Sequence, residues 1–313
     1  MSDRSPAVAM LLAAGGVAGL CALDAVVKHL QLRHAVLLVV FLRYAAGSVI
    51  AAGVWAVGGR PRFTHAMVRG HLTRGAFIAV TAFLFYFSLT VLTLAEAVTL
   101  SFTAPLQIPL MARVMLGERL RRQNIVAGLI GFIGVLVAVA GGGHGVFGSF
   151  AGRELGLAAI LASSVTYALT AVLMRARGGD GSTLLTLSGA VIPMLLLAPA
   201  LAWLPAGSWT GALADRIAWP YFIATGVFGN IGIQLLSRAY GRAEAQVLAP
   251  VEFIALPWAA LFGWLFFAES VRAEVWLGGF VIIAAGVWAS RPPKPASPGP
   301  TLNEPMPPRW VAP

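Results

Sequence analysis

Charged side chains are scarce in this chain, and Asp24, Lys28, Arg43 and Glu252 stand inside long apolar runs. Asp24 and Lys28 are four residues apart, which puts them on one helix face where a carboxylate and an ammonium can pair. A lone charge at the centre of a bilayer costs about 2.5–3.5 kcal/mol on insertion scales, so such a pair is expected to face the protein interior. The alternative is a helix-end pair, with Lys28 snorkelling outward beside His29 and Arg33. Arg43, in Phe41-Leu42-Arg43-Tyr44, lies too deep to snorkel. Its guanidinium suits an anionic partner, either substrate or an internal carboxylate such as Asp24 or Glu252. Glu252 sits in Pro250-Val251-Glu252-Phe253, with Pro257-Trp258 following. Two prolines interrupt helix hydrogen bonding there, as in the broken helices that line transporter sites, and the carboxylate is a candidate proton carrier or a partner for Arg43. Gly226, Gly229 and Gly232 accompany Asn230 and Gln234 on one later run. They form either a close-packed seam with satisfied amides or a set of solute contacts. Tyr86, Phe102, Gln107 and Trp258 complete the candidate lining of a cavity for a partly apolar solute.

The elements that must position these residues are membrane-length. Hydrophobic residues make up 58% of the chain and charged ones 11%, with a mean hydropathy of +0.83. A soluble domain carries roughly 25% charged residues, so this chain cannot cover a water-facing surface. Ten apolar runs are predicted, at 7–30, 34–58, 75–94, 97–116, 123–141, 155–174, 183–204, 217–237, 246–267 and 273–290. Numbered from an inside N-terminus, the loops and tails on that side carry sixteen basic residues against five on the other. The positive-inside rule therefore places both termini in the cytoplasm. The same bias accounts for the net charge of +10, and no basic stripe interleaved with aromatics points to nucleic acid.

The sequence also repeats itself. Ala95-Glu96-Ala97 opens a run ending at Leu116-Gly117-Glu118, and Ala243-Glu244-Ala245 opens one ending at Phe267-Ala268-Glu269. The tripeptides are 148 residues apart, and five runs separate them. An odd number sets the two marks on opposite membrane faces, so the expected fold is all-α and integral to the membrane: ten transmembrane helices as two inverted five-helix repeats. The repeats are expected at 7–141 and 155–290, joined through the Gly-rich segment 141–148. The tail 291–313 has nine prolines in 23 residues and is read as a disordered cytoplasmic extension. Glu96, Glu118, Glu244 and Glu269 fall at span ends, where capping or interfacial pairing explains them.

Cys21 is the single cysteine, which excludes a disulfide framework within one chain. His29, His34, His65, His71 and His144 show no ligand spacing, and neither metal nor cofactor is expected. No HExxH, GxSxG or Walker A pattern occurs, and Gly141-Gly142-Gly143-His144-Gly145 lacks the strand and Lys-Ser/Thr of a phosphate loop.

Ten spans in two halves, Pro105-Leu106 ahead of Leu116-Gly117-Glu118-Arg119-Leu120, then Gly128, together resemble the EamA family of the drug/metabolite transporter superfamily. Phe262-Gly263-Trp264 ahead of Ala268-Glu269 fits the corresponding later segment. Leu23-Asp24 with Lys28, then Phe41 with Arg43, looks like the first half of a common bacterial subgroup. The Glu-to-Glu spacing is 22 residues in one half and 25 in the other, so the halves are not identical. The resemblance covers about residues 7–290 and implies a secondary carrier of the bacterial cytoplasmic membrane, often an exporter, for amino acids or other small metabolites.

The expected function is alternating-access transport of a small zwitterionic or amphipathic solute, proton coupling and a monomeric or homodimeric state both left open. Competing readings are a membrane-embedded enzyme, which needs clustered Asp, His or metal ligands; a non-transporting subunit, which needs a sizeable soluble domain; and a channel, whose flux would not saturate.

Overall fold

A computed structural model describes residues 6–117, 122–140, 153–205, 207–243 and 248–290. Among them every regular element is helical. Helix α1 spans Pro6–Gln31, α2 Val36–Val57 and α3 His65–Ser88. Next come α4, Leu94–Ser101, α5, Thr103–Leu116, and α6, Arg122–Ala140. Helix α7 is Arg153–Ala176 and α8 is Ser182–Leu197, extended by a 3-10 turn Ala198–Trp203. The short α9, Ser208–Ala214, precedes α10, Trp219–Tyr240. A 3-10 segment Ala249–Ile254 runs into α11, Ala255–Phe267, and α12 is Ala273–Ser290. Chains that must satisfy every backbone N–H and C=O without water form helices, which is what these apolar runs do.

Six stretches have the length and hydropathy of a membrane span: Val8–Gln31, Val36–Val57, His65–Ser88, Leu94–Leu116, Arg153–Ala176 and Ser182–Trp203. The other four runs expected from the sequence fall on α6, α10, the 249–267 segment and α12. The outside of the bundle is apolar, with Leu11, Val49, Leu129, Leu195, Phe266 and Phe280 exposed. Such a surface suits lipid and would be a liability in water.

Three expected spans differ in detail. The third begins at His65, not 75, and ends at Ser88, not 94. Hydropathy placed His71 and Arg74 in a loop, but both are buried against α8, whose polar atoms let the helix continue through them. The fourth is broken at Phe102 into α4 and α5. Thr93 starts α4 with a capping box, its side chain accepting from the Glu96 amide while Glu96 accepts from the Thr93 amide. The later run breaks likewise, its 3-10 segment giving way to α11 at Ala255, with Pro257 in the first helical turn where proline is tolerated. Both broken runs end in the left-handed conformation, at Gly117 with φ 71° and at Ala268 with φ 53°.

Helix α1 packs along α10, and α3 along α7. Helix α2 lies between α8 and α10, α3 also touches α8, and α6 runs along α12. Glycines permit a close approach of α1 and α10: a Cβ at Gly16 would sit 2.9 Å from the Gly232 carbonyl oxygen, and one at Gly232 would sit 3.1 Å from that of Gly16. Glu118, Glu244, the 141–148 junction and the 291–313 tail lie outside the described residues.

Candidate functional site

The packing of α1, α2, α3, α7, α8 and α10 leaves a cavity of about 230 Å3 at the centre of the bundle. Its walls are mostly apolar, with Val17, Leu20, Leu23, Ile78, Phe85 and Met174 among them. Polar side chains are set into this wall at specific places.

Asp24, two turns before the end of α1, accepts a hydrogen bond from the Tyr86 hydroxyl of α3 at 2.9 Å. Arg43 of α2 stacks beside them, its guanidinium carbon 4.3 Å from the Tyr44 ring centre and 5.3 Å from that of Tyr86. Tyrosine faces attract a guanidinium through their quadrupole, and desolvation strengthens the effect. The Nε and Nη1 atoms of Arg43 are buried and have no hydrogen-bond partner. Elsewhere on the cavity wall, the Tyr240 hydroxyl of α10 donates to Glu252 Oε1 at 2.7 Å. Tyr167 of α7 lies against the same carboxylate. Each carboxylate is therefore held by tyrosine from another helix. Asn230 donates from Nδ2 to the carbonyl oxygens of Gly47, 2.9 Å away, and Gly226, 2.8 Å away, which ties α10 to α2. Its Oδ1 is buried without a partner.

The structure thus gathers Asp24, Arg43, Tyr86, Asn230 and Glu252 around one cavity. Lys28, Gln234 and Trp258 do not line it. Lys28 and Asp24 share a helix, yet Lys28 Nζ pairs with Glu269 Oε1 at 2.5 Å and donates to the Leu92 carbonyl at 3.1 Å. The expected Asp24–Lys28 pair gives way because Tyr86 supplies Asp24 with a neutral donor while Lys28, one turn nearer the helix end, meets a carboxylate from α11's terminus. Gln234 is partly buried with an unpartnered Oε1. Trp258 is 38% exposed and turns outward, with its ring 5.6 Å from that of Phe262.

Arg74 is a lining residue that hydropathy concealed. It is 0% exposed, and its Nη2 donates to the Leu185 carbonyl and, at 3.3 Å, to Ser188 Oγ. Its Nε and Nη1 have no partner. Beside it, His71 links Ser188 Oγ, 2.6 Å from Nδ1, to Asp180 Oδ2, 3.1 Å from Nε2. Tyr167 was equally unmarked, although a signal existed: Ser163, Ser164, Tyr167 and Thr170 recur at helical spacing along α7 and all line the cavity.

One end of the bundle, where α1 and α3 finish, is tied by ions. Besides Lys28 and Glu269, the second Glu269 oxygen accepts from the Leu94 amide at 3.0 Å, capping α4. Glu96 pairs with Arg153 at 3.2 Å and with Arg272. Residues from α1, α4, α7 and the α11–α12 turn thus meet in one cluster.

An apolar-surfaced helical bundle around a small cavity that holds both carboxylates and guanidiniums defines a polytopic membrane protein of the solute-handling class. The chain belongs to the EamA-like transporter family, whose model matches it twice, over residues 7–140 and 154–291. It is 25% identical over 233 residues to a riboflavin transporter of Brucella anthropi, covering 71% of this chain and 76% of the relative. A riboflavin transporter of Rhizobium johnstonii is 29% identical over 229 residues, covering 71% of this chain and 70% of its own length. The pseudopaline exporter CntI of Pseudomonas aeruginosa is 25% identical over 225 residues, covering 71% and 75%. A solved crystal structure 20% identical in sequence superposes with a TM-score of 0.66 over 92% of this chain and 99% of its own, a likeness of fold.

Proposed function

We propose that this protein is a secondary active transporter that carries a small organic metabolite across the bacterial cytoplasmic membrane by alternating access. The observation that carries the reading is the central cavity, whose polar groups come from α1, α2 and α3 early in the chain and from α7, α8, α10 and the 249–254 segment later in it. Two inverted halves, about 7–141 and 155–290, rock around it. Reciprocal packing supports that inversion: α1 lies on α10 as α7 lies on α3, while α2 meets α8 and α6 meets α12. The broken runs in corresponding places, each closed by a left-handed residue, support it further. All ten apolar runs then cross the bilayer, and both termini lie in the cytoplasm by the charge bias of the loops.

The ion cluster of Lys28, Glu269, Glu96, Arg153 and Arg272 closes the cavity's outer end in this conformation, and its opening is half of the transport cycle. Glu252 and Asp24 are the groups available to exchange protons with the solute, each within reach of tyrosine hydroxyls that steady either protonation state. The relatives named for riboflavin and pseudopaline support an organic solute with polar groups on an apolar or aromatic body, and the exporter among them supports outward transport.

Reconstituted vesicles carrying a pH gradient, assayed against a metabolite panel that includes riboflavin and amino acids, test the reading. Saturable flux is expected from the wild type and its loss in Glu252→Gln and Arg43→Ala, with membrane insertion unchanged. Undiminished flux in both variants would refute the assigned cavity.

A further inference from the structure

The cavity's charged groups are not in equivalent states. Asp24 and Glu252 each accept from tyrosine, one from Tyr86 and the other from Tyr240 and Tyr167. The guanidiniums keep donors to spare. Arg43 and Arg74 each keep Nε and Nη1 buried and unpartnered, four donor atoms on two side chains that line the same space. Tyr44 lies within electrostatic reach of both. A buried donor without an acceptor costs roughly 1–3 kcal/mol, more when it is charged, so the arrangement favours any solute that brings acceptors. An ammonium would instead meet the two guanidiniums that line the same space, which repel it.

We infer that Arg43 and Arg74 form a two-point clamp for an anionic, acceptor-bearing solute: carboxylates or conjugated carbonyls at two positions, with an apolar body between them lying against Leu23, Ile78 and Phe85. Cationic amines are excluded as substrates. Arginine at both points fits this role, because the guanidinium stays charged and spreads its donors in a plane that matches a carboxylate. This deepens the transport reading by naming the substrate class of the same cavity, and its binding test does not depend on flux.

The test uses purified full-length protein in detergent and three probes of one shape: benzene-1,4-dicarboxylate, benzoate and 1,4-bis(aminomethyl)benzene. The dicarboxylate is expected to raise the melting temperature in a saturable manner, benzoate to need at least tenfold higher concentration, and the diamine to give no shift. Arg43→Met and Arg74→Met should each weaken the dicarboxylate response at least tenfold. Arg74 is fully buried, so Arg74→Lys accompanies it. The lysine variant keeps the charge and should retain a weakened response while remaining monodisperse by size exclusion. Stabilisation by the diamine, no response to the dicarboxylate, or a response unchanged in both methionine variants would overturn the clamp. Vesicle flux separates the two ideas: saturable transport of a cationic amine would end the clamp and leave the transporter. Dicarboxylate binding without flux of any solute would do the reverse.

Discussion

Lys28 Nζ lies 2.5 Å from Glu269 Oε1, a contact between residues 241 positions apart that joins the end of α1 to the end of α11. It fastens the first half of the chain to the second at one end of the cavity. The same glutamate caps α4 through the Leu94 amide, so one side chain fixes three helix ends. A contact placed there is suited to being made in one conformation and broken in another.

Lys28→Met and Glu269→Met should each lower thermal stability, because each leaves a partly buried charge without its partner. The double variant should lose less than the sum, by a coupling of about 0.5–3 kcal/mol. Scanning calorimetry or fluorimetry on the four proteins measures this. Strict additivity would mean that the pair is not an energetic link.

Ala268 holds a left-handed conformation with φ 53° in the turn where the other half places Gly117 with φ 71°. A side chain in that region costs roughly 1–2 kcal/mol, partly offset by the extra freedom glycine has when unfolded. Ala268→Gly should therefore stabilise the protein by about 1 kcal/mol, and Gly117→Ala should destabilise it by a similar amount. Melting temperatures moving in opposite directions are the expected outcome. A fall in both would show that the Ala268 turn is not strained.

At Gly232 a Cβ would sit 2.8 Å from Leu20 Cδ2 and 3.1 Å from the Gly16 carbonyl oxygen, whereas at Gly229 the nearest atom is Leu23 Cδ2 at 3.7 Å. Gly232→Val should push α10 off α1 and cost about 1–3 kcal/mol, while Gly229→Ala should be tolerated. Expression level and monodispersity of the two variants distinguish them, and equal tolerance would mean that α1 and α10 do not need their close approach.

The sequence was informative about length and poor about partners. Apolar runs located α1 and α2 to within a few residues, because desolvating the backbone demands helix wherever the run is long. They missed the start of α3, since hydropathy reads His71 and Arg74 as water-seeking and cannot see the Ser188 hydroxyl and Leu185 carbonyl waiting on α8. Helical spacing put Asp24 and Lys28 on one face. It could not decide between a partner four residues away and one reached only through tertiary packing. The repeat drew attention to the glutamates as marks of duplication, and Glu96 and Glu269 turn out to hold an ion cluster across helices. Tyr167 and Tyr240 could be placed only once α7 and α10 were seen to converge on Glu252.

Alternating access through the central cavity can be tested without knowing the solute. Cys21 is the chain's single cysteine and lines the cavity from α1. Protein reconstituted in one orientation is treated with a membrane-impermeant maleimide from either face. Cys21 is expected to be modified from both faces, with labelling from the outer face accelerated in Lys28→Met as the ion cluster loosens. Labelling confined to a single face, in the wild type and Lys28→Met alike, would contradict it.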